Sequence, residues 1–192
     1  MYNLYTLLAM DYESYCKNTI LSKDIDIFKN NARLIVAGAS NSGKTSLIIK
    51  LILNNESKFD KIIIAGSPTI HEISSYEKLK NKIITLKHFP SIDELSDLAD
   101  SNFHKLLIMD DNYYLANSDV NVLSYFTHGR HQNISPVLIT QNIFYARGKY
   151  SRDISLNATH FIILKSRDLS QLNVLSRQVY GLEKSDKNIK CV

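Results

Sequence analysis

The chain has 192 residues, 44% of them hydrophobic and 22% charged, which is typical of one folded domain and excludes a wholly disordered protein. Its two cysteines exclude a disulfide framework and a multi-cysteine zinc site, and no apolar run approaches the roughly 18 residues of a membrane span. The net charge of +4 is concentrated in residues 140–192, where nine basic and four acidic side chains form either a polyanion-binding flank or a solvated face.

The first 30 residues show helical spacing. Apolar and aromatic side chains recur there at intervals of three and four, at Leu4, Leu7, Leu8 and Tyr12. No basic stretch precedes the apolar residues and the segment soon turns acidic, so it is a poor match to a signal peptide. We therefore predict a mainly helical extension over residues 1–30 that packs on the flank of a sheet, and a main domain over residues 31–192.

Short apolar runs and helical segments then alternate along the chain. The runs lack strict alternation, as is typical of strands buried on both faces of a parallel sheet: Leu34–Gly38, Lys61–Ala65, Lys82–Leu86, Lys105–Met109, Pro136–Thr140 and Phe161–Lys165. The helical segments are Lys44–Leu53, Ser91–Ala99, Val120–Phe126 and Leu169–Tyr180, and Ser91 with Glu94 forms a capping box. This pattern predicts an α/β fold with a doubly wound, mostly parallel sheet flanked by helices.

The segment Gly38–Thr45 reads GASNSGKT and matches the phosphate-binding loop G-x-x-x-x-G-K-[ST], between a predicted strand and a predicted helix. Small residues let main-chain N–H groups surround a phosphate, and the helix N-terminus adds positive charge. We expect Lys44 to contact the β and γ phosphates of ATP and Thr45 to bind Mg²⁺. The nucleotide-binding residues are then Gly38, Ala39, Ser40, Asn41, Ser42, Gly43, Lys44, Thr45 and Ser46. A chance glycine loop that opens a helix is the alternative.

The apolar run LLIM leads directly into Asp110 and Asp111, which is the Walker B pattern of a buried strand that ends in carboxylates. Asp110 would hold Mg²⁺ through its water shell, and Asp111 would orient or deprotonate the attacking water. Aspartate is one methylene shorter than the glutamate usual in the second place, so the water must lie closer or be reached through another group. The alternative is a strand followed by a polar turn.

Two further polar positions flank the run Pro136–Thr140. Gln141 follows it and would sense the γ phosphate or its water, unless it only caps a turn. Arg130 precedes it between two histidines, in an exposed basic loop that offers too few ligands for zinc. An arginine finger donated to a neighbouring subunit is the more useful interpretation and implies a ring. Arg147 and Arg152 compete for the same role.

The order of these motifs resembles that of the viral genome-packaging ATPases, a branch of the FtsK–HerA superfamily of P-loop motors in poxviruses, giant viruses, virophages and Polinton-like elements. The matching stretches are GASNSGKT, LLIMDD, FTHGRHQNIS, VLITQN and ISLNATHFIILKSRD. The resemblance implies a P-loop NTPase fold of the additional-strand, catalytic-acid type. It also implies that Lys44 and Thr45 bind Mg-ATP, that Asp110 and Asp111 are the Walker B pair, that Gln141 is the sensor, and that Arg130 is the finger.

The same resemblance implies a function and partners. We expect a hexameric or pentameric ring that hydrolyses ATP and pumps double-stranded DNA, without sequence preference, into a capsid. Capsid or portal-vertex proteins are the expected partners, and the host cytoplasm, the viral factory or the virion the expected location. Family members often continue to a further strand and tail, so we expect either a compact or a truncated member. A nucleotide-dependent scaffold and a small P-loop kinase are the alternatives; a kinase would use Arg147 and Arg152 in a lid.

Overall fold

Seven parallel strands form one sheet within the residues that the computed structural model describes, which are 6–10, 27–28, 31–66, 79–100, 102–110, 116–142, 148–164, 170, 174 and 177. The strands are β1 Thr6–Met10, β2 Leu34–Ala37, β3 Lys61–Gly66, β4 Ile83–Leu86, β5 Lys105–Asp110, β6 Ile134–Thr140 and β7 His160–Leu164. Their order across the sheet is β1-β7-β2-β6-β5-β3-β4, and each neighbouring pair is parallel.

Helices cover both faces of this sheet. They are α1 Lys44–Asn54, α2 Ile92–Leu98, α3 Val120–Thr127 and α4 Ser151–Asn157, with short 3₁₀ helices at Glu56–Lys58 and Gly129–Gln132. The core on one face contains apolar residues of α1, and the core on the other contains apolar residues of α2, α3 and α4. Successive residues of β2 alternate between the two cores, since Val36 belongs to the first and Ile35 to the second. This arrangement confirms the predicted α/β fold and explains why the strand sequences are apolar throughout.

The structure confirms the six predicted strands and the first three predicted helices, with ends that differ by one or two residues. The hydroxyl of Ser91 caps α2 by accepting the main-chain N–H of Glu94 at 3.1 Å. Of the predicted helix Leu169–Tyr180, only residues 170, 174 and 177 are described, and they are helical. Helix α4 was not predicted because its seven residues, SRDISLN, are too few and too polar to establish a helical period.

The predicted helix near the N-terminus is wrong at Thr6–Met10, which form strand β1. This strand pairs with β7, with Thr6 opposite His160 and Met10 opposite Leu164. Five apolar or small residues fit either period. Pairing with β7 satisfies the main-chain groups on the outer edge of that strand, which a helix packed on the sheet flank would leave unpaired. The segment therefore extends the sheet at its edge. Apart from residues 27 and 28, the rest of residues 1–30 lies outside the described part, and the boundary at residue 31 stays a prediction.

Because the strands are parallel, the sheet has two chemically distinct edges. We call the edge where the strands end the carboxyl edge, and the edge where they begin the amino edge. Strands β2, β6 and β5 are consecutive neighbours, so the segments that follow them are brought together at the carboxyl edge. The described residues contain no helix that is long and apolar enough to cross a membrane.

Candidate nucleotide-binding site

The loop after β2 is tied to the neighbouring strand at its first residue. The N–H of Gly38 donates to the carbonyl of Thr140, the last residue of β6, at 3.2 Å. Within the loop, the N–H of Ser42 donates to the carbonyl of Ala39 at 3.2 Å, and that of Leu47 to the carbonyl of Gly43 at 2.9 Å. The loop is thus a compact turn between the end of a central strand and the first turn of α1.

Two glycines of the loop are required for different reasons. A Cβ on Gly38 would lie 2.7 Å from Oγ of Ser42 and 2.9 Å from Cβ of Leu164, so no side chain fits without a shift of the loop. Gly43 has a φ of 89°, a left-handed conformation that other residues adopt only with strain. The glycine spacing in the sequence therefore reflects one close approach and one special backbone angle.

The side chain of Lys44 turns back into the loop. It is 8% exposed, and its Nζ donates to the carbonyls of Gly38 at 2.9 Å and Ala39 at 3.0 Å. These neutral acceptors hold the ammonium group in a position where an anionic oxygen would be a stronger partner. Lys44 is therefore already in place for a phosphate group that enters the loop.

A cavity of about 450 Å³ opens against this loop and is lined by Asn41, Ser42, Gly43, Lys44, Thr45 and Ser46. Oγ of Ser42 is buried and has no hydrogen-bond partner among the described residues. Such an unmatched polar atom is costly unless a ligand or water satisfies it. The cavity, the orphan hydroxyl, the buried ammonium group and the start of a helix all fit a phosphate group.

Two of the other predicted site residues lie on neighbouring strands at the same edge. Asp110 is the last residue of β5 and is aligned with Ile139, the penultimate residue of β6. Gln141 directly follows β6, is exposed, and precedes a turn in which the hydroxyl of Thr140 accepts the N–H of Asn142 at 3.2 Å. Strand order thus places Gln141 between the phosphate loop and Asp110. Asp111 lies outside the described residues, and its role and that of Gln141 stay predictions.

The two arginine candidates that the structure describes lie in different elements. Arg130 is exposed in the 3₁₀ helix Gly129–Gln132, before β6, and therefore lies at the amino edge. The seven residues of β6 span roughly 20 Å, so Arg130 cannot reach the phosphate loop of its own chain. Arg152 is exposed in the first turn of α4, which leads from the carboxyl edge toward the start of β7. Arg147 lies outside the described residues.

Two asparagines beside Arg130 were not predicted from the sequence. Asn31 and Asn133 each have a φ of 53°, and the side-chain amide of Asn31 donates to Oδ1 of Asn133 at 3.2 Å. The same amide donates to the carbonyl of Arg130 at 3.2 Å. Asparagine tolerates left-handed backbone better than most residues, but nothing local in the sequence indicates where it does so.

The sequence matches the model of a known protein family. The family model described as "Poxvirus A32 protein" matches residues 22–188. This match confirms the resemblance to viral genome-packaging ATPases that the motifs indicated. No curated protein matches the chain.

Solved structures with the same fold include the genome packaging NTPase B204 from Sulfolobus turreted icosahedral virus 2. Its complex with AMP is 16% identical, with a TM-score of 0.55 over 79% of this chain and 84% of that chain. Its complex with AMPPCP is 15% identical, with a TM-score of 0.55 over 78% and 82%. The cytoplasmic domain of EssC is 11% identical with a TM-score of 0.55, and the match covers 83% of this chain but 37% of that one. These likenesses show the fold of a P-loop NTPase.

Proposed function

The chain belongs to the Poxvirus A32 protein family, and from this premise we propose that it is an ATP-hydrolysing motor that moves double-stranded DNA into a viral capsid. The observation that carries the proposal is the phosphate loop, where the buried ammonium group of Lys44 borders an open cavity at the edge where β5 ends in Asp110. The genome packaging NTPase B204, which has the same fold, was solved with ATP-gammaS, AMPPCP and AMP.

The substrate ATP would bind with its phosphates in the loop Gly38–Thr45. Main-chain N–H groups at the start of α1 and the hydroxyl of Ser42 would donate to phosphate oxygens, and Lys44 would exchange its carbonyl partners for them. Mg²⁺ would be held by Thr45 and Asp110 and would neutralise charge on the β and γ phosphates. The loop would therefore supply both hydrogen-bond donors and positive charge to the phosphates.

Hydrolysis requires a water molecule directed at the γ phosphorus. Asp111, directly after β5, would orient this water and accept its proton. Gln141, from the neighbouring strand, would hold the water or a γ-phosphate oxygen through its side-chain amide. Two polar side chains from adjacent strand ends would thus act on the attacking water.

The position of Arg130 supports an active site shared between subunits. The residue is exposed and lies at the amino edge, roughly a strand length from its own phosphate loop. It would serve as an arginine finger only for a second copy of the chain whose carboxyl edge faces it. A homo-oligomeric ring, hexamer or pentamer, supplies such a neighbour to each subunit.

A packaging motor also requires DNA and an anchor on the capsid as partners. Double-stranded DNA would be gripped through its phosphates without sequence preference, in line with the basic excess of residues 140–192. Capsid or portal-vertex proteins would anchor the ring. The host cytoplasm, the viral factory or the virion would be its place of action.

The test is steady-state Mg-ATP hydrolysis by the purified chain, with and without long double-stranded DNA. We expect the DNA to stimulate turnover, and we expect the same DNA to leave the Lys44→Ala variant inactive. Stimulation should weaken as salt concentration rises and should not depend on DNA sequence. Turnover that is unchanged by DNA would contradict the translocase and leave an ATPase of another kind.

A further inference from the structure

A single side-chain amide joins two segments that are about a hundred residues apart in sequence. Nδ2 of Asn31 donates to the carbonyl of Arg130 at 3.2 Å and to Oδ1 of Asn133 at 3.2 Å. Asn31 lies three residues before β2, and Asn133 immediately precedes β6. We call this set of contacts the asparagine clip; it lies at the amino edge and directly holds the main chain of Arg130.

The backbone at the clip does not by itself explain the asparagines. Asn31 and Asn133 both have a φ of 53°, which glycine would adopt with less strain. The main chain of Asn133 is already engaged, because its N–H donates to Gly129 and its carbonyl accepts the N–H of Lys105 at 2.8 Å. What asparagine adds over glycine at these positions is the pair of side-chain amides that form the clip.

The clip closes one end of a strand pair whose other end carries the phosphate loop. Strands β2 and β6 are parallel neighbours, with Leu34 opposite Val137 and Ala37 opposite Thr140. At the carboxyl edge, the N–H of Gly38 donates to the carbonyl of Thr140. At the amino edge, the clip holds Arg130 to the segment that leads into β2. The two ends of this pair are therefore both pinned, with the phosphate loop at one and Arg130 at the other.

We infer that Asn31 and Asn133 are positioning residues that set the place of Arg130 for the active site of the next subunit in the ring. The inference rests on the proposed role of Arg130 as a finger. Because a finger acts through distance and orientation, loss of the clip should slow the chemical step more than it weakens nucleotide binding. Through the β2–β6 pair, the clip also fixes the distance between the phosphate loop of one site and the finger offered to the next.

The decisive variants are Asn31→Gly and Asn133→Gly, which keep the left-handed backbone and remove the amide. We expect kcat for ATP hydrolysis to fall about ten- to a hundredfold in each, with the dissociation constant for ATP and the thermal midpoint nearly unchanged. Asn31→Asp, which keeps the shape but places a carboxylate against two acceptor oxygens, should lose at least as much turnover as Asn31→Gly. Asn55→Ala is the control, because it removes a comparable amide bond to the carbonyl of Leu51 and should leave kcat unchanged.

A double variant tells action through Arg130 from action on the fold. If Asn31 works through Arg130, the variant Asn31→Gly/Arg130→Ala should turn over as slowly as Arg130→Ala alone and no more slowly. The inference would be overturned if the double variant lost turnover by the product of the two single losses. It would also be overturned if Arg130→Ala slowed turnover while Asn31→Gly left it unchanged. An Arg130→Ala variant with undiminished turnover would instead refute the finger on which the inference rests.

Discussion

Lys44 at the carboxyl edge and Lys105 at the amino edge are both buried lysines that donate to two main-chain carbonyls. Nζ of Lys44 lies 2.9 and 3.0 Å from the carbonyl oxygens of Gly38 and Ala39. Nζ of Lys105 lies 2.8 and 3.2 Å from those of Asp100 and Phe103. Lys105 has no exposed surface, whereas Lys44 lines a cavity of about 450 Å³. The same pair of carbonyl contacts therefore stabilises the fold at Lys105. At Lys44 it holds an ammonium group that can exchange those carbonyls for a ligand in the cavity.

The amino edge repeats the structural use of basic side chains. Nζ of Lys82 donates to the carbonyls of Glu56 at 3.0 Å and Phe59 at 2.8 Å. Burial lowers the pKa of Lys105, and the nearby charge of Asp100 partly opposes that shift. Arg130 differs from both lysines because it is exposed and its Nε contacts only the adjacent ring of His131 among the hydrogen bonds described, at 3.3 Å. Lys82 and Lys105 therefore stabilise this edge through carbonyl contacts, whereas the side chain of Arg130 faces outward.

The largest effect should come from Lys44→Ala. Loss of the ammonium group removes the main positive charge of the phosphate loop, so we expect no detectable ATP hydrolysis. The thermal midpoint in the absence of nucleotide should change little, because the Lys44 side chain lines an open cavity, and water from that cavity can replace its ammonium group on the carbonyls of Gly38 and Ala39. Steady-state ATP hydrolysis and thermal unfolding, measured on the same preparation, give the two quantities. Normal turnover in a folded Lys44→Ala protein would show that the loop is not the ATP site.

Arg130→Ala should rank next and tests whether the outward-facing cation of the amino edge is functional. We expect turnover to fall about a thousandfold while ATP binding persists, because a finger stabilises charge that develops only in the transition state. Arg152→Ala is the comparison, since Arg152 is also exposed but lies in the first turn of α4 rather than beside the start of β6. A large loss for Arg152→Ala and none for Arg130→Ala would assign the finger to Arg152 instead.

Lys105→Met should have the opposite effect to Lys44→Ala, lowering stability while leaving turnover unchanged. The methionine keeps most of the buried volume but leaves the carbonyls of Asp100 and Phe103 without their donor. We expect the free energy of unfolding to fall by about 2 kcal/mol, with turnover per folded molecule unchanged. Urea unfolding and hydrolysis at a temperature below the transition measure the two effects. A loss of turnover in a stable Lys105→Met protein would contradict the purely structural role of this lysine.

The two edges also differ in how far the sequence predicts them. The phosphate loop is readable because its requirements are local, with Gly38, Gly43 and Lys44 within seven consecutive residues. The place of Asp110 and Gln141 follows as well, because parallel strands end at one edge. The asparagine clip joins Asn31 to residues about a hundred positions away, and no local pattern indicates it.

The same reason explains the error at Thr6–Met10. Its partner strand, His160–Leu164, is about 150 residues away, so only the assembled sheet decides between helix and strand for five residues that fit both periods. Local motifs thus predict the carboxyl edge, while the outer strand and the contacts of the amino edge depend on long-range pairing. Helix α4 was not predicted either, because Ile154 is its only apolar residue in the core and one residue cannot establish a helical period.

The smallest effect expected is a pH dependence at the amino edge. His160, half-buried at the start of β7 with Nδ1 2.9 Å from the hydroxyl of Thr159, has a pKa below its usual value because burial disfavours the charged ring. The unfolded chain therefore binds a proton at a higher pH than the folded one, so stability falls as pH drops below about 6.5. His160→Gln should lose less stability than the unsubstituted chain between about pH 7.5 and about pH 5.5, as judged by urea midpoints. The exposed His128 and His131 are present in both proteins and cancel in the difference. Equal pH dependence in the two proteins would show that burial at this edge does not penalise the charge of His160.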